Sequence, residues 1–419
     1  MLKCIFNATV VGPEKLLPRH AVITREDRIF SILPMDDLDS CFSLENRYQQ
    51  ESLDKCGEEM LYFDARGGYI MPGFIDINSD YIEGILQPRP TCLMEFEMGL
   101  REAEKQLLGH GVTTIYHSLS FLKNGGSGAK RIVRTKESIE KLVGLIKDFH
   151  DGYHLIRHRF HARYEIDNLG IYDYLIELLN SGEIHQLSFM DHTPGQGQYR
   201  DLEIYVKSYP NWNGGSSNRT IEDVLAEAQT KPVASHEMLK RLASLAHERN
   251  IPIASHDDDT LEKLSLMKNE FGVKISEFPI ELEVAKKAHN EGILVVVGAP
   301  NVMLGGSHSG NLSAIDAIRA GVADILCSDY YPASLLHSAF RLEEEGIISL
   351  PAAVRMLTLN PAKAMGIDAD YGSVEPGKKA DLVVVRKIHD RPMVYKCFID
   401  GRTVLQLEYR VGEEIRAAS

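Results

Sequence analysis

The amino-acid sequence predicts an α/β fold: a (β/α)8 TIM-like barrel with a small β-sandwich domain built from both termini. Short apolar runs of strand length alternate with segments of helical periodicity through the middle of the chain. Several of these runs end in a histidine or an acidic residue. A barrel commonly takes ~250 residues, so a chain of 419 residues has room for a barrel and an accessory domain.

The two ends of the chain share a β-like pattern. Residues 1–66 contain KCIFNATVV and HAVITREDRIFSILP, and residues 368–419 contain DLVVVRKI, MVYKCFIDG and RTVLQLEY. Neither end has enough strands to bury a sheet alone. We therefore predict one β domain assembled from 1–66 and 368–419, with the barrel in residues 67–367 between them.

The middle of the chain provides eight strand candidates with helix-like segments between them. The strand candidates are YIMPGFIDIN, VTTIYHSL, YHLIRHRFHARYE, IHQLSFMD, IPIASH, GVKISEF, ILVVVGAP and ADILCSD. Apolar residues recur every three or four positions in ESIEKLVGLIKDF, HEMLKRLASLAHERN, IELEVAKKAHNEG and AIDAIRAG. A doubly wound open sheet would give a similar alternation.

Composition limits the function. The formal net charge of −14 argues against nucleic acid or a membrane as partner. Six scattered cysteines without a CxxC pair indicate reduced thiols, and neither a signal-like N-terminus nor an apolar stretch of ~18 residues occurs. The sequence contains no GxxxxGK[ST] motif, which argues against a P-loop nucleotide hydrolase. We expect a cytoplasmic enzyme with a small-molecule substrate. The sequence is compatible with a homo-oligomer.

Polar residues follow the strand candidates where a parallel barrel places its chemistry. Glu165, His192, His256 and Asp329 each stand at the end of an apolar run. The carboxyl ends of barrel strands converge on one mouth. Two imidazoles and two carboxylates at that mouth would form a divalent metal site.

Several residues are candidates for substrate binding. Arg159, His161 and Arg163 alternate, so an extended strand would direct all three to one side. That arrangement would suit phosphates, or either arginine would pair with a carboxylate such as Asp257 or Glu277. The remaining candidates are Arg89 in LQPRP, which could equally rigidify a turn, and His308, Ser309 and Asn311 in GGSHSGN. NWNGGSSNRT is read as a mobile cover or as a disordered insertion.

Long blocks of the sequence resemble the amidohydrolase superfamily and, within it, the diphosphatases of phosphonate metabolism. These blocks are MPGFIDINSD, HRFHARYE, SFMDHTPGQ, ASHDD, ISEFP, GAPNVMLGGSHSGN and CSDYYPASLL, followed by NPAKAMGI and GSVEPGKKADLVVV. The resemblance implies a metal-dependent barrel hydrolase that releases diphosphate from α-D-ribose 1-methylphosphonate 5-triphosphate, an anionic phosphorylated substrate.

The resemblance also implies roles for individual residues. Asp80, Glu165, His192 and His256 would be metal ligands, with Asn78 as a further candidate. Asp329 would bind metal and act as the general base that accepts a proton from the attacking water. Asp257 is assigned to substrate binding. Zinc is the preferred ion, with manganese or another divalent ion as alternatives, and Glu165 would bridge if two ions bind.

The sequence departs from the family pattern at the first metal motif. Asn78, Ser79 and Asp80 stand where the superfamily usually has His-x-His, and Gly197 stands where the related diphosphatases tend to have arginine. A neutral amide is a weaker zinc ligand than imidazole. Two alternatives therefore accompany the diphosphatase: an amidohydrolase acting on an amide, cyclic amide or amine, and a noncatalytic, metal-depleted binding protein.

Overall fold

The computed structural model describes residues 2–41, 51–53, 59–121, 132–199, 202–203, 220–306 and 311–410. Their strands form two sheets. An eight-stranded parallel sheet comprises β7 (Phe74–Ser79), β8 (Val112–Ser120), β9 (Arg157–Glu165), β10 (Gln186–Met190), β11 (Ile253–His256), β12 (Ile275–Glu277), β13 (Leu294–Gly298) and β14 (Ile325–Cys327). The strands follow one another in sequence order, as a barrel requires.

The parallel sheet closes on itself between its first and last strands. Ser79 forms a parallel bridge with Asp329. The Asp80 amide donates to the Asp329 carbonyl at 2.8 Å, and the Asp329 amide donates to the Asn78 carbonyl at 3.0 Å. The predicted barrel is confirmed, and the open doubly wound sheet is excluded.

The barrel strands are buried on both faces, which explains their nearly continuous apolar sequence. Inside the barrel, side chains from five or more strands pack into one apolar cluster that includes Ile77, Tyr116, Ala254, Ile275 and Val296. The interior is therefore filled, and space for a ligand remains only above this layer, at the carboxyl ends of the strands.

The described helices connect the strands and cover the barrel. They are α1 (Met35–Cys41), α2 (Tyr81–Leu86), α3 (Phe96–Gly109), α4 (Lys136–Asp151), α5 (Tyr172–Ser181), α6 (Ile221–Thr230), α7 (His236–Glu248), α8 (Leu261–Phe271), α9 (Leu282–Asn290), α10 (Ala299–Leu304), α11 (Ala314–Arg319), α12 (Ala333–Glu344), α13 (Leu350–Leu357) and α14 (Leu359–Ala364). Thr135, Ser235 and Thr260 cap the N-termini of three of them with side-chain oxygens, a contribution of about 1 kcal/mol each.

Both ends of the chain contribute to the second sheet, as predicted. Its nine strands are β1 (Leu2–Val11), β2 (Leu16–Arg25), β3 (Arg28–Pro34), β4 (Glu51–Leu53), β5 (Glu59–Asp64), β6 (Tyr69–Pro72), β15 (Leu382–Ile388), β16 (Arg391–Ile399) and β17 (Arg402–Gln406). The C-terminal strand β15 pairs with β6. Residues from both ends, among them Val10, Val22, Leu382 and Phe398, share one core.

One strand prediction was wrong in part. The segment 69–78 was expected to form a single barrel strand, but Tyr69–Pro72 pairs with β1 and β15 in the terminal sheet, and the barrel strand begins at Phe74. Gly73 separates the two, and a Cβ there would lie 2.2 Å from Thr113 Oγ1. We propose the predicted division into 1–66, 67–367 and 368–419, with the exception that strand Tyr69–Pro72 belongs to the terminal sheet.

The described helices include none with the length and apolar character needed to cross a bilayer. Within the same part of the chain, Cys92, Cys327 and Cys397 are free thiols.

A buried ion-pair cluster joins the barrel to the C-terminal segment. Arg157, on β9, contacts Asp381 and Asp400, the latter at 2.9 Å, and its guanidinium lies 4.6 Å from the ring centre of Tyr371. Burial by itself would lower the pKa of Arg157, but Asp381 outweighs this effect and the pKa is raised. The cation is therefore held between the two parts of the chain.

We predict that Arg157→Met lowers the free energy of unfolding by about 3–5 kcal/mol, because it leaves the buried Asp381 carboxylate without its cation. Urea titration followed by circular dichroism measures the change. Lys147→Met is the control, since the exposed Lys147–Glu183 pair contributes about 1 kcal/mol or less. Equal effects of the two substitutions would contradict the assigned role of Arg157.

Candidate active site

A cavity of about 370 Å³ opens at the carboxyl ends of the barrel strands. The structure brings eight of the predicted site residues to its wall: Asp80, Arg163, Glu165, His192, His256, Asp257, Asn311 and Asp329. Among them are the four residues predicted at strand ends, Glu165, His192, His256 and Asp329, which lie together in this wall.

Other predicted residues lie elsewhere. Arg89 is exposed in a turn bridged to Cys92. Arg159 contacts His150, near the C-terminal end of α4, and the carbonyl of His158, so it lies at the opposite end of β9 from the cavity. His161 is fully buried inside the barrel beneath the cavity. His308, Ser309 and all of NWNGGSSNRT except Thr220 lie outside the described residues.

Three strand ends turn sharply into the cavity wall. Asp257, Phe278 and Asp329 have φ values of 52°, 54° and 57°, the left-handed region that non-glycine residues rarely adopt. Each amide still donates to the neighbouring strand before the chain turns. Such strain costs of order 1 kcal/mol per residue and clusters at functional sites.

Asp257 lies beside the two predicted histidine ligands. His192 Nε2 is 3.4 Å and His256 Nε2 is 3.8 Å from Asp257 Oδ2. The three residues offer ligand atoms that all lie within 4.8 Å of one another. The structure thus places Asp257, expected to bind substrate, where a third metal ligand would lie.

The donor set fits a divalent ion. Tetrahedral zinc with bonds of ~2.0–2.1 Å separates its ligand atoms by about 3.3–3.5 Å, close to the observed distances. His192 Nε2 and Asp257 Oδ2 are buried and have no hydrogen-bond partner among the described residues. Buried polar atoms without partners are costly, and a shared cation would satisfy both.

Carboxylates behind the histidines orient the two imidazole rings. Glu165 Oε1 lies 2.6 Å from His192 Nδ1, and Glu277 Oε2 lies 3.1 Å from His256 Nδ1. Each ring therefore turns its Nε2 toward the cavity. Glu165, expected as a ligand, stands where a carboxylate orients a ligating histidine.

Glu277 is the centre of a buried polar network. Gln186 donates to its Oε1 at 2.9 Å and Ser188 to its Oε2 at 2.8 Å. His161, which contacts Ser188, lies 3.7 Å from the same carboxylate. Burial would raise the pKa of Glu277, but His161, His256 and Ser188 together lower it. His161 belongs to this structural network and not to the cavity wall.

Electrostatics at the mouth favour a cation. Burial would lower the pKa of His192, but Glu165 and Asp257 outweigh it and raise the pKa to about 9. Burial, together with the charges of Asp80 and Asp76, raises the pKa of Asp329 to about 7. Negative charge is thus concentrated around His192 and Asp329.

Two cationic side chains also line the cavity. Arg163 places NH2 3.3 Å from His256 Nε2. The single lone pair of His256 Nε2 can bind either the guanidinium or a metal ion. A metal ion bound to that nitrogen would therefore release Arg163 from His256. The sequence patterns did not reveal Arg134. Its Nε donates to both carboxylate oxygens of Glu83, at 2.8 and 2.9 Å, and its NH2 lies 3.5 Å from Asp80 Oδ2.

Two departures from the family pattern, Asn78 and Gly197, adjoin the site. Asn78 is 1% exposed, and its Nδ2 has no acceptor among the described residues. Gly197 packs against Asp257 and has a φ of +53°. A Cβ at this position would lie only 3.2 Å from the Asp257 Cβ. A side chain at position 197 would be strained next to the candidate ligand.

Comparisons with known proteins agree with this architecture. The Amidohydrolase family model matches residues 215–404. The chain is 32% identical to alpha-D-ribose 1-methylphosphonate 5-triphosphate diphosphatase of Escherichia coli, over 80% of this chain and 87% of that protein. An adenine deaminase of Clostridium botulinum is 36% identical over 88 residues, or 14% of its length.

Solved structures show the same fold. N-acetylglucosamine-6-phosphate deacetylase from Pasteurella multocida superposes with a TM-score of 0.61 at 14% identity, over 96% of this chain and 99% of that protein. The fold and the family match together define a barrel hydrolase. The chain belongs to the amidohydrolase family. Membership identifies a hydrolase and argues against the noncatalytic alternative.

We predict that Asn78→His raises the zinc stoichiometry or affinity, because a neutral imidazole is a better zinc ligand than an amide. Elemental analysis after identical zinc loading and dialysis measures the change. Asn290→His, at the exposed end of α9, is the control for an added surface imidazole. Equal zinc content in the native protein and Asn78→His would show that position 78 does not limit binding.

Proposed function

We propose that this enzyme is a metal-dependent diphosphatase of phosphonate metabolism that releases diphosphate from a ribose 1-methylphosphonate 5-triphosphate-type substrate. The observation that carries the proposal is the 32% identity to the Escherichia coli diphosphatase over most of both chains. Arg163 and Arg134 in the cavity wall support an anionic substrate. We also propose zinc as the metal and the cytoplasm as the location.

The proposed metal centre uses His192, His256 and Asp257, with Glu165 and Glu277 orienting the imidazoles. Asp80, Asn78 and Asp329 would supply a second position at the closure of the barrel. A divalent ion there would lower the pKa of a water molecule and polarise the phosphoryl oxygen. The unpartnered His192 Nε2 and Asp257 Oδ2 support the first position.

Asp329 would act as general base. It lies on the cavity wall, and burial raises its pKa to about 7, which suits a group that exchanges a proton near neutrality. Asp329 takes a proton from the attacking water while the oxygen of that water forms a bond to phosphorus. The phosphoanhydride P–O bond breaks, and diphosphate leaves with the electron pair.

The arginines would bind the phosphates. A guanidinium forms bidentate hydrogen bonds with phosphate oxygens. Arg163, once released from His256, has its NH2 group free for such bonds. Arg134 is held rigidly by Glu83, so it would meet a charged substrate without further ordering.

An amidohydrolase reaction is the second candidate. Apolar residues also line the cavity, among them Phe278, Pro279, Val297 and Leu312, and the adenine deaminase match supports a substrate with a ring. The same centre would activate water against an amide or amidine carbon.

The substrate is tested by assaying the zinc-loaded enzyme on α-D-ribose 1-methylphosphonate 5-triphosphate, nucleoside triphosphates, cyclic amides and adenine. We predict diphosphate release from the ribosyl triphosphate at a kcat/KM at least about tenfold above every other compound. Chromatography of the products identifies diphosphate. Preferential turnover of a cyclic amide or adenine would support the second candidate instead.

We predict that Asp329→Asn keeps the fold and at least part of the metal but lowers kcat by about 10²-fold or more, because an amide cannot accept the proton. Stopped assays of diphosphate and elemental analysis provide the two readouts. Asp324→Asn, at the amino end of β14, is the control, since its carboxylate bonds to the Val295 amide outside the cavity. Turnover unchanged in Asp329→Asn would exclude Asp329 as the base.

A further inference from the structure

The terminal β domain contains a buried lysine. Lys396, on β16, is only 7% exposed. Its ammonium lies 4.0 Å from the ring centre of Phe63 and 5.8 Å from that of Phe398. Phe63 belongs to the N-terminal part of the domain and Phe398 to the C-terminal part, so the lysine points between the two.

Among the described residues, Lys396 has no ion pair and no hydrogen bond for its ammonium. Burial lowers the pKa of Lys396, and the charge of Glu408 opposes this only partly. The aromatic rings offset part of this loss of hydration, but they supply no counter-ion. The ammonium is therefore suited to receive an anion.

Lys396 lines a cavity of about 390 Å³ between the N-terminal and C-terminal strands of this domain. Ile5, Phe63 and Val384 form apolar parts of its wall, and Arg66 lines it as well. The cavity is large enough for a ring that carries one acid group. None of its residues lines the barrel mouth.

A second cleft adjoins this cavity and adds positive charge. The two share Arg66, Tyr395 and Glu408, and the second adds Arg386, Lys387 and Arg410. Five cations and two carboxylates thus line the two clefts, on a chain whose net charge is −14, and one of the cations, Lys387, pairs with Glu344 at 3.0 Å. Of the carboxylates, Asp64 is occupied by the Asn7 amide and the Arg66 backbone amide.

Two of these cations flank one aromatic ring. The guanidinium carbons of Arg66 and Arg386 lie 5.7 Å and 5.2 Å from the ring centre of Tyr395. Neither arginine has a carboxylate partner among the described residues. Contact with the ring leaves their N–H groups available to an incoming anion.

We propose that the terminal β domain binds a small organic anion with a flat apolar body, at a site separate from the barrel mouth. The acid group pairs with Lys396 and Arg66, and the body lies against Phe63 and the neighbouring apolar wall. The acid group is a carboxylate or a phosphate, which share this recognition chemistry. The inference does not depend on the reaction in the barrel.

The test is isothermal titration calorimetry of the full chain with benzoate, phenylphosphonate and inorganic phosphate. We expect saturable binding of a ring-bearing acid, and the tighter of benzoate and phenylphosphonate identifies the acid group. Lys396→Met should weaken that binding about tenfold or more, because a charge-assisted hydrogen bond contributes roughly 1.5–3 kcal/mol.

Two controls separate this site from others. Lys147→Met removes an exposed lysine, and Arg163→Met removes a cation from the barrel mouth, so both should leave the binding unchanged. Methionine matches the length of lysine and removes a buried charge, so Lys396→Met should unfold at the same or higher urea concentration. If it does not fold, Arg66→Gln at the exposed rim replaces it.

Several results would overturn the proposal. These are no saturation by either ring-bearing acid, equal affinity in Lys396→Met and the native chain, or loss of binding in Arg163→Met. Inorganic phosphate binding as tightly as phenylphosphonate would overturn the assignment of a ring-bearing ligand.

Discussion

The site depends on the backbone closure between the first and last barrel strands. The reciprocal hydrogen bonds of Asp329 with Asn78 and Asp80 join strands that are about 250 residues apart in sequence. They hold the three candidate site residues side by side where the two strands meet. Ser328 strengthens the same junction through the buried Asp76 and through Ser79. Without this closure, the carboxylates of β7 and β14 would lie on opposite edges of an open sheet.

Around this junction, buried polar groups orient the side chains that face the cavity. Glu277 is the clearest case, since it receives Gln186 and Ser188 and fixes the ring of His256. An ionised carboxylate in the barrel interior is tolerable only because it is fully hydrogen-bonded. The mouth therefore presents ligand atoms whose positions are set from below, while Arg163 and Arg134 provide positive charge from the side.

Much of the fold follows from local sequence patterns, because strands buried on both faces produce uninterrupted apolar runs. The same patterns located His192, His256 and Asp329, since a polar residue after such a run must lie at a rim. They could not show that the strands before and after Gly73 belong to different sheets, because both strands are apolar. Nor could they separate the roles of Glu165 and Asp257, since the left-handed backbone at Asp257 sets the direction of its side chain. Arg134 and Lys396 acquire meaning only from neighbours distant in sequence.

The single glycine between β6 and β7 has a mechanical consequence. Gly73 is the whole connection between a strand of the terminal sheet and the strand that leads to Asn78 and Asp80. With so short a link, the terminal sheet cannot detach without pulling on the first barrel strand. Unfolding of the terminal sheet would therefore displace the first barrel strand and its junction with Asp329. The two sheets should unfold in one cooperative step.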